Sequence, residues 1–483
     1  MPPDAPLDLI ALEPAALELA RHLHAELYTD WEALNLPARW EPGATGTAGT
    51  GTLATGTLAT GTTGTGTAVP DHWQATSVPA SLHGRRAELI VAASDAQAVW
   101  RGIEAGAEAT VLDLDDIYSP RAGNLARAYS NFSTFARVPH PFLTRVRPLA
   151  HREGRGTFGG RPAVAGLLDL AAYAWAFRER EIVAYLPKLD AVPEALFWRR
   201  ALELTEQWLG LPVRSLRVCL QIETLPGLMN AEALLYTLRN FAYGLNAGRW
   251  DYVFSVVKHL SERTEYLLPE RARLTMNEPS MQAYALHIVS VCHKHGAQAI
   301  GGTAAVALSG EIQQDGPALE GVRQDKAREA AQGFVAAWAG SPELLEAVRG
   351  AFGGTAALQP EADYLATDHL KAALALPRAE HIPDAAVQDA IGVALAVFAA
   401  WLVGVGDVAR AGRSEDTATA ELARAQLWHW RRRGVLGEAD YLCWRREVLP
   451  DDAQAAQLLD ALVLAETCAP YFPGVAEAMF PEE

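Results

Sequence analysis

The chain has 483 residues, which corresponds to about three domains of ordinary size. Half of the residues are hydrophobic, a fifth are charged and 13 are tryptophan, so the chain can bury a large core and global disorder is excluded. With 41 Lys and Arg against 58 Asp and Glu, the net charge of −17 argues against nucleic acid or an anionic membrane surface as the main partner. A local basic pocket for a small anionic ligand is compatible with this balance.

Residues 7–36 have leucines at roughly helical spacing and are followed by Pro37, which predicts a helical arm, assigned here to residues 1–42. Between Gly43 and Thr67 only Gly, Thr, Ala and Leu occur, with TGTLA repeated. This composition has no charge and too little bulk to pack, so we interpret residues 43–75 as a flexible linker.

Short β-rich runs alternate with helical patterns between residue 76 and about residue 355. Eight strand–helix repeats favour an α/β fold of the (β/α)8, or TIM-barrel, type. A doubly wound sheet is the alternative, although no GxGxxG motif opens the first helix. The predicted strands are 88–93, 109–115, 141–147, 181–188, 215–223, either 241–246 or 251–257, 272–277 and 297–302.

Alanine-rich helical patterns replace the strands after about residue 355 and predict an all-helical C-terminal domain over 356–483. The most apolar run in this region, 390–405, is shorter than the roughly 20 residues of a membrane span. The N-terminal segment lacks the basic region of a signal peptide. The four cysteines are far apart, as is typical of a reducing compartment, so we expect a cytoplasmic protein; they are Cys219, Cys292, Cys443 and Cys468.

Charged side chains follow several predicted strands, at the end where a barrel carries its catalytic groups. Each acid taken alone fits a helix cap or a solvated loop charge better than a functional role, and only their shared placement favours a function. Several carboxylates on one rim repel each other unless a cation lies between them, and oxygen ligands from separate strands suit Mg²⁺. Arg147 has two interpretations, a functional contact or an ion pair with one of these acids. The residues are Asp113, Asp115 and Asp116, then Arg147, Lys188 and Glu223, and finally Asp251 in the GRWDY segment.

Three long motifs occur in a fixed order. They are DLDDIYSPRAGNL (113–125), IETLPGLMNAEALLYTLRNFAYGLNAGRWDYVFS (222–255) and SEDTATAELARAQLWHW (414–430). In these motifs the chain resembles the A-type malate synthases of the glyoxylate cycle, and the resemblance extends with gaps from about residue 76 to the end. It implies an Mg²⁺-dependent Claisen condensation of acetyl-CoA with glyoxylate, followed by thioester hydrolysis to malate and CoA. It also implies a monomer or small homo-oligomer that binds these small molecules, and the acidic net charge favours neither nucleic acid nor membrane as a partner.

The same resemblance assigns roles to individual residues. Glu223 and Asp251 would be the protein ligands of Mg²⁺, and Asp416, delivered from the C-terminal domain, would be the catalytic base. Arg147 would contact the glyoxylate aldehyde oxygen and the developing enolate. Backbone N–H groups of the Gly248–Arg249–Trp250–Asp251 turn would hold the glyoxylate carboxylate, Asp115 and Asp116 would support the water shell of the metal, and Arg121 is a candidate CoA contact.

Some segments depart from the family pattern. MNEPSMQAY (276–284) introduces Glu278, and in GFVAAWAGSP (333–342) Phe334 and Val335 replace a His and an Asp, which predicts a change in affinity or acyl-chain preference. Two alternatives are a C–C lyase of the same barrel superfamily, acting on malyl-CoA or citramalyl-CoA, and a degenerate barrel that binds acyl-CoA without catalysis. The lyases lack a C-terminal domain with EDTATAE, so Asp416 discriminates between the first alternative and a synthase.

Overall fold

The computed structural model describes residues 12–34, 36, 69–70, 72–260, 267–353, 366–373 and 375–482. Eight parallel strands form a closed barrel in the order β1-β2-β3-β6-β7-β8-β9-β10, with β10 paired to β1, which confirms the predicted TIM barrel. The strands are β1 (Ala87–Ala92), β2 (Ala109–Asp113), β3 (Phe142–Arg145), a hairpin of β4 (Arg152–Phe158) and β5 (Arg161–Val164), then β6 (Val183–Leu186), β7 (Arg217–Ile222), β8 (Ala242–Ala247), β9 (Gln298–Ala304) and β10 (Ala336–Ala339).

Helices surround the barrel because its strands are buried on both faces and require cover. Beyond the barrel, helices form a C-terminal domain that also contains one short hairpin. The helices are α1 (Pro14–Ala33), α2 (Ala96–Glu104), α3 (Asn124–Phe135), α4 (Ala165–Ala176), α5 (Val192–Leu209), α6 (Leu225–Met229), α7 (Ala231–Thr237), α8 (Arg249–Leu260), α9 (Pro279–Lys294), α10 (Ile312–Gln332), α11 (Leu345–Ala351), α12 (Ala366–Ala373), α13 (Asp384–Leu402), α14 (Thr417–Arg432), α15 (Glu438–Val448), α16 (Gln454–Val463) and α17 (Phe472–Met479), and the hairpin is β11 (Val408–Arg410) with β12 (Arg413–Glu415).

Two predicted strands need correction. Of the two candidates for the sixth strand, 241–246 matches β8, whereas 251–257 lies inside α8. The prediction of a strand at 272–277 is wrong, because that segment contains a turn of 3-10 helix and no strand. The eighth strand is β10, whose sequence AAWA has three alanines and little β-propensity, so that pairing with β1 and β9 decides its conformation.

A buried carboxylate stands in the centre of the barrel. Glu88 is fully buried and forms an ion pair with Arg85, and it accepts hydrogen bonds from Tyr185 Oη (2.6 Å) and Trp338 Nε1 (3.0 Å). These partners offset the cost of desolvating the charge. The guanidinium carbon of Arg145 lies 5.2 Å from the centre of the Trp338 ring. Trp338 therefore connects this buried polar group to residues at the carboxyl ends of the strands.

The helical arm predicted at the N-terminus is α1, which packs against α4 and α5 on the outside of the barrel. Trp31 Nε1 donates a hydrogen bond to Leu149 O (2.8 Å), and the buried ring of His24 accepts one from the backbone N–H of Val164 (2.8 Å). Most of the predicted linker lies outside the described residues. Near its end, Trp73 stacks on His295 with ring centroids 3.6 Å apart.

The C-terminal domain is joined to the barrel through backbone hydrogen bonds. Ser414 N donates to Ala305 O (3.0 Å), and Thr417 N donates to Asp116 O (3.1 Å) in the loop after β2. Arg271 adds an ion pair to Glu415 at 2.5 Å. Among the described residues, α13 is the one helix whose length and apolar composition would suffice to cross a membrane. Its buried residues pack in the core of this domain with those of α14 and α16.

Acidification should release α1 from the barrel. Burial lowers the pKa of His24 to about 4 from the ordinary 6.5. Between these two pH values the imidazole is protonated in the unfolded chain and neutral in the folded one. This contribution to stability is complete above pH 6.5 and is lost as the pH falls towards 4. The stability lost by pH 5 is about 2 kcal/mol. We expect the hydrogen-exchange protection factors of α1 to fall between pH 7.5 and pH 5.

The matched comparison is between His24→Gln, which removes the titrating group, and His22→Gln on the same helix. The pH dependence should be reduced in the first variant and retained in the second. Equal pH dependence in both variants and in the wild-type chain would exclude His24 as the cause.

Candidate active site

Five carboxylates converge at the carboxyl ends of the barrel strands, which we call the barrel mouth. Each is between 0% and 6% exposed. One oxygen each of Asp116, Glu223 and Asp251 lies within 4.8 Å of the other two. The five residues, called the carboxylate cluster below, are Asp113 at the end of β2, Asp115 and Asp116 in the following loop, Glu223 directly after β7 and Asp251 in the first turn of α8.

Lys188, which follows β6, lies at the centre of this cluster. Its ammonium Nζ is 2.6 Å from Asp115 and 2.9 Å from Asp116, and it approaches Asp251 and Glu223 at 3.5 and 3.7 Å. Its backbone N–H donates to Glu223 Oε1 at 2.9 Å. The backbone of Lys188 has φ +54°, a conformation that L side chains seldom adopt, so its surroundings hold it in this position.

Arg145 is the second cation of the cluster and is not among the site residues predicted from the sequence. Its guanidinium bridges Asp113 (Nη2–Oδ2 2.8 Å) and Asp116 (Nη1–Oδ2 2.6 Å) from below the barrel mouth. The available signal was an arginine within the apolar run FLTRV, where an unpaired charge would be costly.

The cluster holds more negative than positive charge, and this is reflected in its proton affinities. Burial, with the neighbouring carboxylates, raises the pKa values of Asp115 and Asp251, and burial also raises the pKa of Glu223. For Asp116, burial acts in the same direction, but Lys188 and Arg145 outweigh it and lower the pKa. Five carboxylates therefore share two cations, and a further cation would be stabilised here.

The donor set fits a divalent metal ion with hard oxygen ligands. Asp116, Glu223 and Asp251 come from separate segments, and Asp251 Oδ1 is buried without a hydrogen bond among the described residues. Gly248 leaves the necessary space, because a Cβ atom there would lie 2.5 Å from Glu223 Oε2. The residues present can therefore hold a cation such as Mg²⁺.

Arg147 belongs to a separate buried network. Its guanidinium contacts Asp169 of α4 (Nη2–Oδ1 2.8 Å) and Glu153 of β4 (Nη1–Oε2 2.7 Å), with Tyr129 Oη at 3.3 Å. An ion pair of Arg147 does form, but its partners are these two acids, which the sequence analysis missed, and not the strand-end acids.

A cavity of about 290 Å³ lies between the barrel mouth and the C-terminal domain. Arg147 and Asp115 therefore line one cavity together with groups from the C-terminal domain. Its lining includes Asp115, Arg147 and His151 from the barrel and Thr417, Tyr471 and Glu477 from the C-terminal domain.

Asp416 is the N-cap residue of α14, directly above the barrel mouth. Its Oδ1 accepts a hydrogen bond from Thr419 N (3.0 Å), and the following residue, Thr417, is bonded to the carbonyl of Asp116. Burial, followed by the charge of Asp116, raises the pKa of Asp416 to about 7. A carboxylate with this pKa is suited to general-base catalysis near neutral pH.

The turn Gly248–Asp251 opens α8 beside the cluster, so its N–H groups lie at a helix N-terminus. The Arg249 side chain stacks on Trp250 (3.9 Å to the ring centre) and lines a second cavity with Asn277 and Arg328. Arg121 lies against the C-terminal residues, where its Nη2 donates to Phe480 O (2.7 Å).

The residues that depart from the family pattern lie in two separate parts of the barrel domain. Phe334 and Val335 lie just before β10, at the end of the barrel opposite to the carboxylate cluster, so they are remote from the cavity. Glu278 directly precedes α9.

A closed parallel barrel, with a buried carboxylate cluster able to hold a metal ion at its mouth and a helical domain above it, has the architecture of a TIM-barrel enzyme. The sequence matches the family models "Malate synthase, TIM barrel domain" over residues 144–371 and "Malate synthase, C-terminal" over residues 381–460. The chain belongs to the malate synthase family, whose members are acyltransferases.

Curated relatives are similar over most of the chain. A malate synthase of Oryza sativa subsp. japonica is 32% identical over 403 residues, covering 76% of this chain and 71% of the relative. One of Streptomyces clavuligerus is 33% identical over 406 residues, covering 76% and 74%. Among solved structures, a pyruvate/acetyl-CoA ternary complex of Haloferax volcanii malate synthase has 15% identity, a TM-score of 0.48 and coverage of 77% of this chain and 96% of that chain.

Replacing Arg145 tests how far the cluster depends on it. Arg145→Met leaves Asp113 and Asp116 buried without their guanidinium, and breaking such a pair costs about 3–5 kcal/mol. We expect a clear fall in the midpoint of thermal unfolding, with partial recovery in Arg145→Lys. A matched exposed variant, Arg323→Met, should unfold like the wild-type chain, and an unchanged midpoint in Arg145→Met would contradict this role.

Proposed function

We propose that this chain catalyses the Mg²⁺-dependent condensation of acetyl-CoA with glyoxylate and the hydrolysis of the resulting thioester to malate and CoA. The observation that carries the proposal is the meeting of Asp116, Glu223 and Asp251 at the barrel mouth with Asp416 above them. Membership of the malate synthase family supports the same reaction.

Glu223 and Asp251 would hold the metal ion, with Asp116 the third carboxylate at the site and Asp115 placed to accept hydrogen bonds from its water ligands. Bound there, Mg²⁺ would supply Lewis-acid polarisation of the glyoxylate carbonyl and would offset the charge of its carboxylate. The N–H groups of the 248–251 turn would bind that carboxylate from the start of α8.

Asp416 would remove a proton from the methyl carbon of acetyl-CoA, a weak carbon acid that requires a base within hydrogen-bond reach. Arg147 lines the cavity that Thr417, the neighbour of Asp416, also lines, and it would donate hydrogen bonds to the enolate oxygen that develops, without losing its own proton. The enolate carbon then forms the new C–C bond to the aldehyde carbon of glyoxylate as the C=O π bond opens, and protonation of the resulting alkoxide gives malyl-CoA. Water cleaves the C–S bond of that thioester, and malate and free CoA leave.

The C–C lyase alternative uses the same kind of barrel but not the C-terminal domain. Here that domain belongs to the malate synthase family, and hydrogen bonds seat its Asp416 segment on the barrel mouth. The two reactions are distinguished by their products, because a synthase releases free CoA from acetyl-CoA and glyoxylate, whereas a lyase run in reverse accumulates malyl-CoA. A barrel that only binds acyl-CoA would do neither.

Removing a ligand carboxylate should weaken Mg²⁺ binding. In titration calorimetry with Mg²⁺ alone, we expect Glu223→Gln and Asp251→Asn each to reduce affinity by at least tenfold, because charged carboxylates dominate binding of a hard cation. Glu320→Gln on the exposed face of α10 is the control and should bind normally. Wild-type affinity in both ligand variants would place the metal elsewhere.

Asp416→Asn should lower turnover by about 10²–10⁴-fold, the usual contribution of a general base. Asparagine is an equally good N-cap, so the variant should keep its thermal stability and its Mg²⁺ affinity. The measurement is glyoxylate-dependent release of free thiol from acetyl-CoA, followed with a thiol reagent. Turnover within a few-fold of the wild-type rate would remove Asp416 from the mechanism.

A further inference from the structure

Two arginines converge beside the cavity on one carboxylate of the chain's own C-terminal tail (residues 480–482). Glu482 accepts a hydrogen bond from the backbone N–H of Ala122 (2.7 Å) and lies 3.2 Å from Arg155 Nη1 and 3.7 Å from Arg121 Nε. A backbone donor and two guanidinium groups around a single anion have the composition of an oxyanion-recognition site.

Both arginines have contacts besides Glu482, although for Arg121 these include the bond from its Nη2 to Phe480 O of the same tail. Arg155 contacts Glu153 through two hydrogen bonds (2.7 and 2.9 Å) and donates to Pro120 O (2.7 Å), while Arg121 lies 5.7 Å from the centre of the Trp401 ring. The buried Arg121 Nε has no hydrogen-bond partner among the described residues, and Glu482 is the one carboxylate there that pairs with this guanidinium. The tail thus occupies a site in which Arg155 is fixed by residues outside the tail, and it leaves Arg121 Nε without a hydrogen bond.

This site adjoins the cavity that receives Arg147 and Asp115. Pro120 and Trp401, which contact these two arginines, line that cavity, as does Glu477 of α17. A volume of about 290 Å³ is at the lower limit for a drug-sized ligand, so an acyl-CoA that places its acyl end inside must leave its nucleotide part outside. The phosphates of that part then need cations, because the chain as a whole carries a net charge of −17.

We propose that Arg121, Arg155 and the Ala122 N–H form the site for a phosphate group of the acyl-CoA substrate, and that Glu482 occupies this site until the substrate displaces it. The inference rests on the proposed function, since it takes acyl-CoA as the ligand. The family match of the C-terminal domain ends at residue 460, so α17 and the tail lie beyond it.

The test is calorimetric titration of the full chain with CoA, 3′-dephospho-CoA and pantetheine, without glyoxylate. Glu482→Gln should tighten CoA binding by about threefold to tenfold because a competing anion is removed, and Arg121→Gln and Arg155→Gln should weaken it by about tenfold, as expected for loss of one charge-assisted contact. Pantetheine carries no phosphate, and its affinity should stay the same in all three variants. Glu447→Gln, on an exposed position of α15, is the matched control and should leave every affinity unchanged.

Dephospho-CoA identifies the phosphate. If the affinity for dephospho-CoA changes in the variants as the affinity for CoA does, the site binds the pyrophosphate. If the affinity for dephospho-CoA does not change, the site binds the 3′-phosphate. Unchanged CoA affinity in Glu482→Gln, whose side chain lies on the surface, would overturn the proposal, as would equal changes for pantetheine and CoA. Because no turnover is required, a chain that meets these binding criteria but releases no thiol would contradict the proposed function and not the phosphate site.

Discussion

The structure depends above all on a balance of charge at the mouth of the barrel. Five carboxylates are buried there, and two cations, Lys188 and Arg145, hold them together. Isolated charges of this kind would not remain ionised in such a place, because desolvation outweighs any single contact. Lys188 reaches four of the five acids and adopts a left-handed backbone to do so, which indicates how strongly the surrounding loops determine its position.

The excess of negative charge in the cluster favours the binding of a further cation. Burial raises the pKa values of Asp115, Glu223 and Asp251, so without a further cation protons reduce the negative charge of the cluster. A divalent ion would neutralise this charge in place of protons, and the deprotonated oxygens would then act as its ligands. The feature that makes the site costly to fold is thus the same feature that suits it to bind a metal ion.

The arrangement is completed only when the two halves of the chain meet. Asp416 reaches the barrel mouth because the hairpin β11–β12 and the start of α14 bond to loops after β9 and β2. The cavity under this contact also contains Arg147, whose network with Asp169 and Glu153 is separate from the carboxylate cluster. The carboxylate cluster, Asp416 and Arg147 are therefore held by three separate sets of contacts.

The amino-acid sequence by itself determined the barrel, the helical C-terminal domain and the strand-end acids, because alternating apolar runs and charged residues directly after them are local features. It also singled out Asp416, through a motif of the family pattern, and Arg147, as a charged residue at the end of a predicted strand. The short strand β10 was not predictable, since AAWA becomes a strand only by pairing with its neighbours.

Tertiary structure alone decided which charges are partners. Arg145 and Arg147 are two residues apart in the same run, yet one bridges Asp113 and Asp116 while the other binds Asp169 and Glu153. Local sequence does not distinguish them, because the energy of an ion pair depends on distance and burial, and both are set by the closed barrel and the elements that cover it.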